Sequence, residues 1–426
     1  MAFRFVHSAD VHLDSPFRSL ALRDPNLAEM IGNATRRAFV KIVDLCLDEQ
    51  VDALLLAGDL YDGDQTSMKT AKFFALQMHR LHEAGVRVFV VRGNHDAESK
   101  ITKELTLPNS LKLFTGRADY VEIAPAAGGM PLAIHGMSFA DPKMPTSLVP
   151  KFKPPVEGSV NIGIMHTSLT GADNHNTYAP CTVADLNATG FKYWALGHVH
   201  KRSVYDGLCK VVMPGNPQGR DINEAGAKTA TLVTIGDDGS IELEERLTSI
   251  AEFARISVSA QDCDDWSAVA AAIRAGIEKA REGARSEHLV GRIIVSGVTP
   301  TAWELRHDAR RLKVEADVVA ELAGKTWIEK VEIDCKMPDT AAAAESGDAL
   351  AEIMVEIEGG VLSSDAFIYE TEEIAKELWD VLPRECQVAL GGADEAKFKA
   401  EIRQLAREGV DEVMARLRMT DGLEIF

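Results

Sequence analysis

Five short segments of this 426-residue chain set an apolar run directly before residues able to hold a cation. They read SADVH, AGDLYD, RGNHD, IMH and LGHVH, and supply Asp10 and His12, Asp59 and Asp62, Asn94 and His95, His166, and His198 and His200. Imidazole, carboxylate and amide groups are the ordinary ligands of Mn, Fe and Zn, whereas Mg prefers an all-oxygen shell. In an extended segment, residues two apart face the same way, so Asp10 with His12 and His198 with His200 can each present a pair of ligands. Gly58, Gly93 and Gly197 stand immediately before their ligands and allow tight turns and close backbone approach. A single Asp-x-His or strand-end His says little. Five such places in one chain point to a metal centre.

The elements that must position these groups are legible as well. Apolar runs at Arg4–His7, Ala53–Ala57, Arg87–Val91, Leu132–Ile134, Asn161–Met165, Tyr193–Leu196, Lys210–Met213 and Thr229–Ile235 read as strands, mostly bounded by Gly, Asp, Asn or Pro. Ala34–Gln50 and Ser67–Ala84 carry apolar residues at three- and four-residue spacing and read as helices. Alternating strands and helices predict an α/β domain, with ligands gathered at the C-terminal strand ends. The later strands follow one another with fewer helices, so the sheet is expected to be mixed or doubled. Beyond Phe253 the pattern changes. Strands at Arg255–Val258, Val290–Ser296 and Trp327–Cys335, with helices at Trp266–Glu282 and Thr301–Leu312, predict a small α+β unit. Met337–Gly347 reads as a linker, and helices follow at Leu350–Glu358, Ser364–Val381 and Ala393–Met419. The expected division is 1–250, 251–338 and 348–426.

Composition sets the outer bounds. With 46% hydrophobic and 26% charged residues the chain can bury a core and is expected to be a soluble folded protein. No stretch of about 18 uninterrupted apolar residues occurs, so a membrane span is not expected. The start lacks a basic region followed by a long apolar one, which is no signal peptide. Cys46, Cys181, Cys209, Cys263, Cys335 and Cys386 are scattered and form no CxxC pair. Reduced thiols and a cytoplasmic location are the expectation. The net charge of −19 is unevenly placed: residues 1–250 carry 25 basic and 29 acidic side chains, whereas 339–395 carry 2 and 15. The acidity therefore lies away from the chemistry.

In D-x-H, G-D-x-x-D, G-N-H-D, H and G-H-x-H order, these segments resemble the signature of the calcineurin-like metallophosphoesterases over about residues 3–250. SADVHLDSPF, GDLYDGD, RGNHD, YAPC at 178–181, YWALGHVHKR at 193–202 and PGNPQGR at 214–220 are similar to SbcD/YhaO-like bacterial DNA repair exonucleases. The resemblance implies a sandwich of two β-sheets flanked by helices, a small α+β capping domain and a helical C-terminal region. It also implies two divalent cations, Mn²⁺ foremost with Fe or Zn as alternatives. Asp10, His12 and His200 would hold one cation, Asn94, His166 and His198 the other, and Asp59 would bridge them. Two cations less the charges of Asp10 and Asp59 leave the site positive, which suits a phosphate ester. Metals about 3.5–4 Å apart can activate a bridging water and clamp the phosphorus for in-line displacement. His95 would then protonate the departing oxygen, with Asp62 orienting it. At the Asp62 position some nucleases of the superfamily carry His.

Other residues have weaker claims. Lys201, Arg202 and Arg220 could meet a DNA backbone as phosphate contacts that read no sequence, and His175 could touch substrate. His7 reads as structural, and His135 as either structural or a support to the ligands. The resemblance implies 3′→5′ exonuclease action on DNA and an SMC-like ATPase partner docking on the C-terminal region; self-association as a homodimer is a further expectation, and a membrane partner is not. Two rival readings stay open: a phosphatase or cyclic-nucleotide phosphodiesterase on the same core, and a non-catalytic DNA-end scaffold for an ATPase.

Overall fold

The computed structural model describes residues 2–15, 31–61, 67–96, 107–124, 129–141, 144–169, 178–338, 352–353, 356–379, 381–382 and 395–420. Of the residues singled out above, Asp62, His175, Cys386, most of the expected linker and part of the expected helix Leu350–Glu358 fall outside them.

Two six-stranded sheets organise the first part of the chain. The first sheet contains β1 (Phe3–Ser8), β2 (Ala53–Ala57), β3 (Arg87–Val91), β4 (Leu111–Leu113), β11 (Thr229–Ile235) and β12 (Ile241–Leu247), in the order β12-β11-β1-β2-β3-β4. Strands β1 to β4 run parallel, and β11 and β12 are added antiparallel. The second sheet contains β5 (Asp119–Ile123), β6 (Leu132–Gly136), β7 (Val160–His166), β8 (Tyr193–Gly197), β9 (Ser203–Asp206) and β10 (Lys210–Met213), in the order β5-β6-β7-β8-β10-β9. Its four central strands are parallel, and β5 and β9 are antiparallel edges.

Strand alternation explains how the layers stack. In β2, Leu54 and Leu56 join the core under helices α1 (Ala34–Asp48) and α2 (Met68–Glu83), while Ala53, Leu55 and Ala57 face the space between the sheets. That inter-sheet core also holds Phe5, Phe89, Ile162, Ile164, Tyr193 and Ala195. Across the second sheet, Trp194 and Leu196 turn outward and pack with Leu186 of the short helix α3 (Val183–Asn187). The central parallel strands β2, β3, β6, β7 and β8 are buried on both faces, which is why they read as continuous apolar runs. This is a mixed α/β sandwich of two large sheets flanked by helices.

The chain divides into two compact units, one of residues 1–254 and 283–290, the other of 255–282 and 291–426. The second unit is built on a three-stranded sheet in the order β13 (Ala251–Ser259), β14 (His288–Val298), β15 (Thr326–Lys336). Its helices are α4 (Trp266–Gly283), α5 (Ala302–His307), α6 (Ala309–Ala323), α7 (Asp365–Trp379) and α8 (Glu395–Thr420). The single helix expected over Thr301–Leu312 is two, and the second continues to Ala323. Asp308 breaks the run with φ −106° and ψ 32°, and Leu312, Ala316, Val319 and Ala320 then give α6 its buried stripe. Trp379 of α7 packs edge-on against Phe398 of α8, ring centroids 4.9 Å apart, and Val410 of α8 meets Trp303 of α5. No helix among the described residues is long and apolar enough to cross a membrane.

Candidate metal centre

The candidate ligands converge at one end of the sandwich because β1, β2, β3, β7 and β8 all point the same way. Asp10 and His12 follow β1, Asp59 follows β2, Asn94 and His95 follow β3, His166 ends β7, and His198 and His200 follow β8. The loops after β1 and β2 run side by side: the amides of Asp10, His12 and Leu13 donate to the carbonyls of Gly58, Asp59 and Leu60 at 3.0, 3.0 and 2.9 Å. Four of the ligand positions take positive φ, Asp10 at 53°, His12 at 46°, Asp59 at 51° and His198 at 110°. Non-glycine residues rarely adopt this backbone, and where they cluster the surrounding structure is holding side chains in place.

Two groups of three result. One donor atom each from Asp10, His12 and His200 lie within 4.8 Å of one another, and the same holds for Asp59, His166 and His198. Asn94 joins the second group through its Oδ1, 3.2 Å from His166 Nε2. Asp10, His12, Asp59 and His166 are each at most 2% exposed.

The donor chemistry fits a pair of cations. His166 Nδ1 lies 2.9 Å from the Ala57 carbonyl, an acceptor, so it carries the ring proton and Nε2 presents a lone pair. That lone pair faces two further acceptors, Asn94 Oδ1 at 3.2 Å and Asp59 Oδ2 at 3.4 Å. Acceptors meeting in a buried place need a cation or a proton between them. Burial disfavours charge on His166, yet Asp59 and then Asp10 lift its pKa to about 9. His198 goes the other way, pushed down to about 3 by burial and then by repulsion from His166. Asp59 resists its own burial because His166, His12 and His95 hold its carboxyl well below the usual range. In the first group, His12 Nε2 and His200 Nε2 stand 3.2 Å apart.

The remaining oxygens are used to fix the loops. Asp59 Oδ1 accepts the His95 amide at 3.1 Å, and both oxygens of Asp10 accept the His198 amide at 3.0 Å. The His95 ring stands against that of His12, centroids 5.2 Å apart. Glycines make this approach feasible. A Cβ on Gly93 would lie 2.2 Å from Asp59 Oδ1, one on Gly58 2.4 Å from His166 Nδ1, and one on Gly197 2.0 Å from the Ala57 carbonyl oxygen.

Of the proposed phosphate contacts, Lys201 is exposed, but Arg202 and Arg220 are turned to carboxylates. Arg202 Nε lies 3.0 Å from Glu245, and its guanidinium donates to Thr231 Oγ1 at 2.6 Å. Arg220 forks onto Glu224 at 2.9 Å. Both guanidinium groups, expected from sequence as phosphate contacts, are thus paired with carboxylates of the fold. His7 is fully buried, with Tyr193 Oη 2.9 Å and the Leu196 carbonyl 3.1 Å from its two ring nitrogens. His135 bonds Asn161 at 2.8 Å and packs between Tyr120 and Phe191, so its bonds go to the fold and not to a ligand.

Three further acidic residues support the site. Asp96 accepts the amides of Leu60, Tyr61 and Gly93 at 3.1, 3.0 and 3.2 Å and so ties the loops after β2 and β3 together. Asp14 receives both arms of Arg36, at 2.6 and 2.5 Å, and the Thr70 hydroxyl, joining the first loop to α1 and α2. Glu224 receives His200 Nδ1 at 2.6 Å. Asp96 and Asp14 lie within the quoted RGNHD and SADVHLDSPF segments, whereas Glu224 follows PGNPQGR with no such mark.

A two-sheet α/β sandwich with two groups of His/Asp donors at its strand ends is an arrangement suited to metal-dependent chemistry. Residues 3–202 match the calcineurin-like phosphoesterase family and residues 253–336 the middle domain of metallophosphoesterase YhaO. The chain carries a calcineurin-like metallophosphoesterase domain. It is 29% identical over 297 residues to the uncharacterized metallophosphoesterase YhaO of Bacillus subtilis, covering 70% of this chain and 72% of that one. It is 24% identical over 234 residues to the DNA double-strand break repair protein Mre11 of Methanopyrus kandleri, covering 50% and 49%, and 26% identical over 249 residues to Mre11 of Sulfurisphaera tokodaii, covering 55% and 60%. The chain thus spans about half of the length of one of these Mre11 relatives and three-fifths of the other.

Proposed function

We propose that this protein hydrolyses DNA phosphodiester bonds from strand ends, 3′→5′, using two divalent cations, Mn²⁺ foremost. The observation that carries the reading is the pairing of Asp10, His12 and His200 with Asp59, His166 and His198 at one end of the sandwich, His95 standing between Asp59 and His12. Cations held there would supply positive charge to a phosphodiester and acidify a water. The protein's own residues do the rest. Asp10 and Asp59 fix the loops that carry His198 and His95, and the buried walls keep the ligand lone pairs aimed inward. His95 gives a proton to the departing oxygen, and Asp62 is its proposed orienting carboxylate. Lys201 is the exposed cation nearest in sequence to the ligands and is retained as a phosphate contact.

DNA as substrate draws on the Mre11 relatives, which by name act in double-strand break repair. The exposed apolar side chains Tyr369, Ile374, Leu405 and Val413 of α7 and α8 suit the docking of an ATPase partner on the C-terminal region. The test is release of label from end-labelled duplex DNA beside release of phosphate from nucleotide monophosphates, each with Mn²⁺, Mg²⁺ or chelator. Mn²⁺-dependent shortening of the duplex that chelator abolishes is the expected result. Turnover of monophosphates with no attack on duplex would replace this reading with a small-molecule phosphatase.

A further inference from the structure

His166 and His200 each belong to one of the two donor groups, and their second ring nitrogens meet different partners. That of His166 meets the neutral carbonyl of Ala57, at 2.9 Å. That of His200 meets the carboxylate of Glu224, at 2.6 Å. The Arg220 guanidinium also lies 3.1 Å from His200 Nδ1, but the Glu224 carboxylate is nearer, at 2.6 Å, and would repel a bare nitrogen, so Nδ1 carries the proton and Nε2 is left as a lone pair toward His12.

Glu224 is itself held from four directions. Asn216 Nδ2 donates to Oε2 at 2.7 Å, the Arg220 amide to Oε2 at 2.8 Å, and the Arg220 guanidinium to Oε1 at 2.9 Å, beside His200. Asn216 is 1% exposed and is fixed in turn by donating to the Gln218 carbonyl at 2.8 Å. Gly215 brings this strand end against His200, since a Cβ there would lie 2.7 Å from the His200 carbonyl oxygen. A short 3-10 turn, Ile222–Glu224, carries the carboxylate and is capped by Asp221, whose Oδ1 takes the Asn223 amide at 2.7 Å. Asn216 and Arg220 of PGNPQGRDINE thus both bond the one carboxylate.

We infer that Glu224 is the positioning residue of the cation site formed by Asp10, His12 and His200, with Asn216 and Arg220 as its supports. The inference rests on the two-cation reading above. The carboxylate fixes the ring tautomer and orientation of His200 and makes Nε2 a stronger donor to a cation. The carbonyl behind His166 fixes orientation without adding charge. The two sites consequently differ in affinity, and the Glu224 site is the one that fills first. Arg220 acts on metal binding through Glu224, where the sequence pointed to DNA.

The experiment is a Mn²⁺ titration of the chelator-stripped full chain, following bound Mn²⁺ by electron paramagnetic resonance and calorimetry. Wild type should take up two ions in two steps. Glu224→Gln keeps size and an acceptor but removes the charge, and should weaken the tighter step about 10–100-fold while the weaker step stays within about twofold. Excess Mn²⁺ should then restore duplex cleavage. Arg220→Lys, which keeps the carboxylate, should weaken the same step by less, and it decides the matter if Glu224→Gln does not fold. Equal weakening of both steps, or no change in either, would overturn the assignment of Glu224. Uptake of a single ion by wild type would instead overturn the two-cation reading.

Discussion

The ring of His166 hangs from the carbonyl of Ala57, the last residue of β2, and so turns its free nitrogen onto Asp59, two residues further along the same chain segment. One strand end thereby supplies both a candidate ligand and the anchor that aims another. His166→Gln would keep a polar side chain but lose the nitrogen at 3.4 Å from Asp59. Removing even an outer support of a metal ligand costs about 10–100-fold in affinity, so removing the ligand itself should cost at least about a hundredfold. Metal content after gel filtration, read by mass spectrometry, should fall from two ions toward one. Retention of both would remove His166 from the ligand set.

Gly93 gives a test of packing that leaves every donor in place. Its substitution by Ala puts a Cβ 2.2 Å from Asp59 Oδ1 and 2.8 Å from His166 Nε2, inside any permitted contact. Either the carboxylate or the loop must move, and Gly93→Ala should lose cation binding and activity together. Gly32→Ala meets nothing within 4 Å and serves as the comparison. Full metal content in Gly93→Ala would mean that the loop after β3 is not held as tightly as these distances state.

Much of this site was legible because its ligands lie immediately after apolar strands, where a short local pattern records both strand and donor. Partners that meet across long sequence separations left no such trace. Glu224 lies 24 residues from His200, and nothing in INEAG marks its carboxylate as facing an imidazole. Arg220 was legible as a cation but not as one already paired, for the same reason. Among the elements, β2, β3, β10 and β11 coincide with their apolar runs, whereas β4, β5, β9 and β12 went unseen. Strand β12, IELEERL, is a half-exposed edge whose acidic residues face solvent, β9 is likewise an edge, and β4 has only three residues. An apolar criterion finds strands covered on both faces and passes over those covered on one.

Burial of His7 makes part of the fold's stability depend on pH. Burial is the main cause that brings its pKa down from 6.5 to about 3, and the neutral ring suits its partners, with Nε2–H donating to Leu196 and Nδ1 accepting from Tyr193. Well above pH 6.5 the folded and unfolded forms are both neutral and pH has no effect through this group. As pH falls below that value the unfolded chain takes up a proton that the folded one refuses, and stability is lost progressively down to about pH 3. Between pH 7 and pH 5 this amounts to about 2 kcal/mol. His7→Gln cannot titrate, so the stability gap between it and wild type, from urea melts with chelator present, should shrink by about that amount over the same interval. A gap that does not change with pH would show that His7 is protonated alike in both states.

His95 separates binding from chemistry. Its amide is committed to Asp59 at 3.1 Å, while its ring stands edge-on to His12 and belongs to neither donor group. His95→Gln leaves that backbone bond available and removes only the imidazole. The variant should keep both cations and its affinity for duplex DNA, while cleavage falls by about 10²–10⁴-fold, the usual contribution of a general acid. A leaving group that needs no proton should lose far less. Hydrolysis of a p-nitrophenyl phosphodiester, whose phenolate departs unprotonated, is therefore the decisive comparison. Loss confined to DNA assigns the ring to protonation of the departing oxygen. An equal loss on both substrates would place it in orienting the site, and cleavage at the wild-type rate would remove it from the mechanism altogether.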